Sequence, residues 1–245
     1  MTNSDQGLGG KAISKVAEMG ISSQLDEVEE LNVDIRTDPG KVVQGDVDSV
    51  AVEGKGLVIK EDLRMERLEI NTSAVSIDPL SVVFGNIELT HPTEAEARIV
   101  LTEPDLNRAL NSDYLRAKIQ DLQLDMQGQP VKINILRSRL RLPGEGKFVM
   151  DADFSLQEGG ELKHMKATVI PHLQPNEQRI SLEILSAEGQ GLTPELVNAI
   201  LQEITTLLDL RNFEIPGMSL QLETFEVQEG QINIHASTYI EQLPG

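Results

Sequence analysis

The chain has 245 residues, 39% of them hydrophobic and 25% charged. This suits a folded globular protein able to bury roughly 70–75% of its unfolded surface, and not a disordered one. A net charge of −19 disfavours nucleic-acid backbones, and the absence of cysteine excludes disulfides, thiolate zinc sites and a cysteine nucleophile. Aromatic residues make up 3% of the chain and tryptophan is absent, so any cavity is aliphatic and suits acyl chains better than bases or sugars.

Met1 to Gly10 is polar and glycine-rich, without the apolar core of a secretory leader. No window approaches the length of a membrane span. A cytoplasmic protein, soluble or peripheral to a membrane, is the expectation. Periodicity predicts a helix over 11–31, from Ile13, Val16, Ala17, Ile21, Leu25 and Val28, weakened at Gly20 and Ser22-Ser23. It packs on a sheet or, alternatively, touches a membrane with Lys11 and Lys15 towards headgroups.

Strands are expected over Asn32–Thr37, Val42–Val43, Val47–Val52 and Leu57–Ile59, with Gly54-Lys55-Gly56 allowing a backbone bend. Along Leu63–Ile77 the apolar alternation slips phase at Glu66-Arg67, which implies either a bulge bending a curved sheet or two strands and a turn. Asp78-Pro79-Leu80 opens a helical turn ending near Gly85. Strands resume at Ile87–Leu89 and Ala97–Leu101.

Two threonines each start a proline-led amphipathic helix, near 103 and near 194. Thr102 and Asp105 resemble a capping box with Pro104 in the first turn, and Thr193 precedes Pro194. Leu106, Ala109 and Leu110 form the first stripe, and Ser112-Asp113 restarts a helix. Leu196, Ile200, Ile204, Leu207 and Leu208 form the second stripe.

Between them, Val131–Leu142 and Lys147–Leu156 flank the turn Pro143-Gly144-Glu145-Gly146. Pairing position i with 290 − i sets Leu142, Leu140 and Leu136 against Phe148, Met150 and Phe154 on an apolar face. The other face then pairs Arg139 with Asp151 and Arg137 with Asp153, leaving Arg141 opposite Val149. This basic stripe reads as a charge ladder or as a site for a phosphate headgroup, for which Arg141 is the candidate. Strands over Leu162–Pro171 and Ile180–Ala187, joined at Pro175-Asn176-Glu177, and over Met218–Val227 and Gln231–Ile240 complete an α+β order with a meandering antiparallel sheet.

No catalytic constellation emerges. His91, His164, His172 and His235 lack metal-helix spacing, and there is neither a G-x-S-x-G elbow nor a phosphate-binding loop. The Asp-x-Asp pairs at 46/48 and 151/153 share strand faces, as cross-strand pairing requires. No cofactor, metal or catalytic residue is assigned.

The run Val47 to Pro79, with Leu101-Thr102-Glu103-Pro104-Asp105-Leu106-Asn107-Arg108-Ala109-Leu110, resembles the LmeA-like phospholipid-binding family, widespread in cyanobacteria and actinobacteria. The helix ending in an acidic stretch before Leu31-Asn32-Val33 fits it as well. The resemblance covers most of the chain. It implies one domain over 1–245 with a TULIP-like fold: a highly curved antiparallel β-sheet wrapped around a long helix, with an apolar groove for acyl chains. It also implies non-enzymatic binding or transfer of phospholipid or glycolipid, with transient membrane contact. Unlike the family's envelope members, the chain shows no export signal. Candidate groove residues are Leu68 and Ile70, Leu106 and Leu110, and Leu196, Ile200 and Ile204; each is also an ordinary core position. The competing reading is a cytoplasmic adaptor or assembly protein with a filled core and an acidic face. The oligomeric state is left open.

Overall fold

The computed structural model describes residues 8–42, 44–59, 62–78, 88–119, 122–126, 128–156, 160–174, 179–207 and 218–241. In chain order these form α1 (Leu8–Ser22), β1 (Glu30–Arg36), α2 (Pro39–Val42), β2 (Asp46–Val47), β3 (Ser49–Ile59), β4 (Leu63–Thr72), β5 (Val75–Ser76) and β6 (Thr93–Thr102). Then come α3 (Glu103–Leu110), α4 (Asp113–Ile119), β7 (Leu122–Met126), β8 (Gln129–Gly144), β9 (Lys147–Leu156), β10 (Leu162–Gln174) and β11 (Arg179–Glu188). Last are α5 (Pro194–Leu207), β12 (Met218–Gln228) and β13 (Gln231–Ile240). The expected helical turn at 79–85, the strand residue Ile87, Val43, Leu208 and the turn at 175–177 lie outside the described residues.

All named strand pairs are antiparallel. One sheet has six strands in the order β1-β3-β4-β6-β13-β12, and a second has five in the order β11-β10-β9-β8-β7. The five-stranded sheet curls around α5, which touches both of its edge strands, β7 and β11. Inside the curl, Leu196, Val197, Ile200 and Leu201 pack on Leu124, Ile133, Leu140, Leu142, Phe148, Phe154, Met165, Ala167 and Val169. The six-stranded sheet joins this core through β12 and β13, where Phe225 meets Phe148 edge to face with ring centroids 6.3 Å apart. The curled antiparallel α+β architecture is as the sequence implies; the enclosed helix has 14 residues.

α3 stitches the two sheets together. Thr102 Oγ1 accepts from the Asp105 N–H at 3.3 Å and the Asp105 carboxylate accepts from the Thr102 N–H at 3.1 Å, the capping box that the sequence predicts. The Asn107 amide donates to the Leu140 carbonyl at 2.7 Å and accepts from the Leu140 N–H at 2.9 Å, and Glu103 accepts from the Leu142 N–H at 2.8 Å. β7 pairs only with residues 129–133 of β8, so these side chains occupy edge groups that no strand reaches.

Four expectations change. The helix predicted over 11–31 stops at Ser22, where Gly20 and Ser22-Ser23 weaken it and the following carboxylates oppose its dipole. Val42 closes the short helix α2 instead of starting a strand. β4 is continuous through Glu66-Arg67, with unbroken register on β3, so there is neither bulge nor turn. The bend lies in β3 at Gly56, whose φ is +59°. In the β8–β9 hairpin the 290 − i register holds from Arg141 to Arg137 and shifts at both ends: at the turn Gly144 pairs with Lys147, so the expected Leu142–Phe148 pair falls in an irregularity. Ile135, not Leu136, faces Phe154, and the displaced Leu136 is 55% exposed.

Candidate lipid-binding face

The six-stranded sheet carries one apolar face, written in its register. One row crosses all six strands as Val33, Val52, Ile70, Ala97, Ala236 and Leu222. The next crosses as Leu31, Gly54, Leu68, Ile99, Ile234 and Phe225. Alternation along each strand puts Asn32, Glu53, Glu69, Arg98, His235 and Thr224 on the opposite face.

Burial along these rows is uneven. Val33 is buried at one end, where α1 packs along β1 and Ser14 Oγ accepts from the Ile35 N–H at 3.1 Å. Ala236 and Leu222 are buried at the other end, against Ile180 and the five-stranded sheet. In the middle, Val52, Leu68, Ile70, Ala97 and Ile99 are only half-buried. Apolar residues on central strands are ordinarily the best covered in a sheet. Here strands β3, β4 and β6 carry them across about 10 Å of sheet, given strand spacings of about 4.8 Å. Gly54 fits where it does because Leu57 folds over it: a Cβ there would come within 2.5 Å of Leu57 Cδ1.

Charge interrupts this apolar face at one end. Arg64 and Glu66 share the face of Leu68 and Ile70, which is the physical origin of the phase slip in β4. The Arg64 guanidinium reaches Glu29 at 2.7 Å, Asp105 at 2.8 Å and Glu66 at 2.9 Å. These hydrogen bonds, led by that to Glu29, raise its pKa further. It is a permanent cation held by three carboxylates and transfers no proton. Arg108 of α3 pairs beside it with Asp62 at 3.0 Å and Glu27 at 3.7 Å. Sequence reading missed this clamp, since its members lie as far apart as Glu29 and Asp105; the one available signal was the pair of charges interrupting an apolar strand face.

The seven groove candidates fall into two places. Leu68 and Ile70 lie in the half-buried middle of the apolar face of the six-stranded sheet. Leu106, Leu110, Leu196, Ile200 and Ile204 belong to the core around α5, with Leu196 and Ile200 fully buried there. Arg141 is exposed on the outer face of β8, with its neighbours Leu140 and Leu142 turned into the core. The expected charge ladder keeps its register but not its ion pairs. Arg137, Arg139 and Arg141 make no ion pair within 4 Å among the described residues, while the Asp153 carboxylate lies 2.9 Å from His164 Nδ1 and Asp151 lies 3.9 Å from it.

The polar face of the same sheet has shallow depressions. One of about 560 Å³ lies among Asn71, Glu94, Glu96, Gln221, Glu223 and Tyr239. Its carboxylates suit an acyl chain poorly. Among the described residues no three His, Asp or Glu are placed to hold a metal ion, and no helix is long and apolar enough to cross a membrane.

No curated protein matches the chain at a significant level. A family model for LmeA-like phospholipid-binding proteins, in contrast, matches residues 5–237. That match covers nearly the whole chain, including the capped helix α3, and the chain therefore belongs to the LmeA-like phospholipid-binding family.

Proposed function

We propose that this protein is a non-enzymatic carrier that lays the acyl chains of a phospholipid or glycolipid along the trough floored by Val52, Leu68, Ile70, Ala97 and Ile99. The observation that carries this reading is the half-burial of these five apolar side chains in the middle of a sheet whose flanks are covered. Membership of a phospholipid-binding family supports it. Burying methylenes yields about 0.8 kcal/mol each, so a chain of about sixteen carbons supplies about 12 kcal/mol before ordering costs. Leu68 and Ile70 are the acyl-contact residues in this proposal. Leu106, Leu110 and Ile204, partly buried against the core around α5, would line a deeper extension, with Leu196 and Ile200 behind them.

The test is native mass spectrometry of freshly purified protein, with lipid extraction of the same sample. A lipid mass near one per chain is the expected result. In Ala97→Phe the added ring fills the trough, so bound lipid should fall at least tenfold with little change in melting. If the face is instead a filled core, as an adaptor would have, the wild type carries no lipid and Ala97→Phe overpacks, costing about 1–3 kcal/mol.

A further inference from the structure

We infer that the outer face of the five-stranded sheet docks on an anionic phospholipid bilayer through Arg137, Arg139 and Arg141. The inference rests on the lipid-carrier reading for its choice of surface and concerns a face remote from the trough floor. The three arginines alternate along β8, so they project from one face at intervals of about 7 Å. All three are exposed. In a chain with 40 carboxylates and 21 lysines and arginines, most cations should find an acidic partner. These have Asp151 and Asp153 directly across the hairpin, yet both carboxylates are oriented towards His164. Exposed Lys166 continues the row of Arg139 through Asp151.

The same face offers apolar anchors. The register shift in β8 leaves Leu136 beside Arg137 and 55% exposed, and Leu162, on the same face as His164 and Lys166, is 62% exposed. Arginines next to exposed leucines suit an interface of phosphates over hydrocarbon. A nucleic-acid backbone would leave the leucines unused. The global charge of −19 does not forbid this, because salt screens charges beyond about 8 Å and leaves the local stripe to act. Each arginine near an anionic leaflet is worth about fivefold in partitioning.

The experiment is vesicle co-sedimentation of the full chain with phosphatidylcholine alone and with added phosphatidylglycerol. The wild type should bind only the anionic vesicles, and less at higher salt. R137Q/R139Q/R141Q should lose at least tenfold, with unchanged melting and unchanged co-purified lipid. Leu136→Ser with Leu162→Ser should weaken binding without removing its salt dependence. Equal binding by wild type and triple variant overturns the inference, as does a wild type that ignores anionic vesicles. If the triple variant loses binding to a DNA duplex while vesicle binding is unchanged, the occupant is nucleic acid and the inference falls. Arginine-dependent vesicle binding by protein that carries no lipid would retain the docking face and sink the carrier reading instead.

Discussion

Asp105 ties three parts of the chain to one carboxylate. It is 5% exposed, caps α3 by accepting from the Thr102 N–H, and accepts from Arg64, which also holds Glu29 from the segment after α1. Asp105→Ala removes the return half of the capping box, while Thr102 keeps its bond from the backbone N–H of residue 105, and leaves a part-buried guanidinium with one partner fewer. The return hydrogen bond is worth about 1 kcal/mol and breaking a buried pair about 3–5 kcal/mol; Glu29 and Glu66 still hold Arg64, so a loss of about 3 kcal/mol is expected in urea unfolding. A loss under about 1 kcal/mol would mean that the guanidinium simply turns to water. Thr238 makes the opposite case. Its hydroxyl is buried without a hydrogen-bond partner among the described residues. Thr238→Val keeps the shape and removes the unpaired group, so a gain of about 1 kcal/mol is expected, and a loss would reveal a hidden partner for the hydroxyl.

At the scale of elements, what could be read in sequence was what depends on near neighbours. The Thr102–Asp105 cap is three residues long and was legible. So was the middle of the β8–β9 register, because a glycine-rich turn and matched alternation leave few ways to pair. It failed at the turn, where Gly144 pairs with Lys147, and at Leu136, where a bulge is decided by how Ile135 packs against Phe154, information that alternation does not hold. The phase slip in β4 was visible, yet its cause was a partner 41 residues away, Asp105. The bend sits instead in β3 at Gly56, where a Cβ would lie 2.3 Å from the Glu29 side chain and φ is +59°. Gly56→Ala should therefore cost about 1–3 kcal/mol and loosen the Arg64 clamp. Gly146, with φ +72° and open space where a Cβ would stand, provides the control: Gly146→Ala should cost about 1 kcal/mol, the backbone term alone. Equal losses at the two sites would show that the contact with Glu29 contributes nothing.

For the molecule as a whole, the two apolar systems differ in how far they are covered. The core around α5 is closed by its own side chains, whereas the apolar face of the six-stranded sheet leaves Leu68, Ile70 and Ile99 half-covered. Sequence periodicity cannot separate a groove from a core, since both present the same alternation; burial along the register is the observation that bears on it. A ligand that binds the folded trough and not the unfolded chain stabilises by about 2.7 kcal/mol at a free concentration one hundred times its dissociation constant. For a chain of this size that is about 5–10 °C in Tm. Delipidated protein should thus melt lower than protein incubated with phospholipid. Far-UV circular dichroism is the suitable readout, because there is no tryptophan to report by fluorescence. Ala97→Phe should melt at one temperature with or without lipid, since its ring replaces the ligand's contacts. If wild type and Ala97→Phe instead gain equally from lipid, the stabilising site lies elsewhere than the trough, and the core around α5 becomes the place to look.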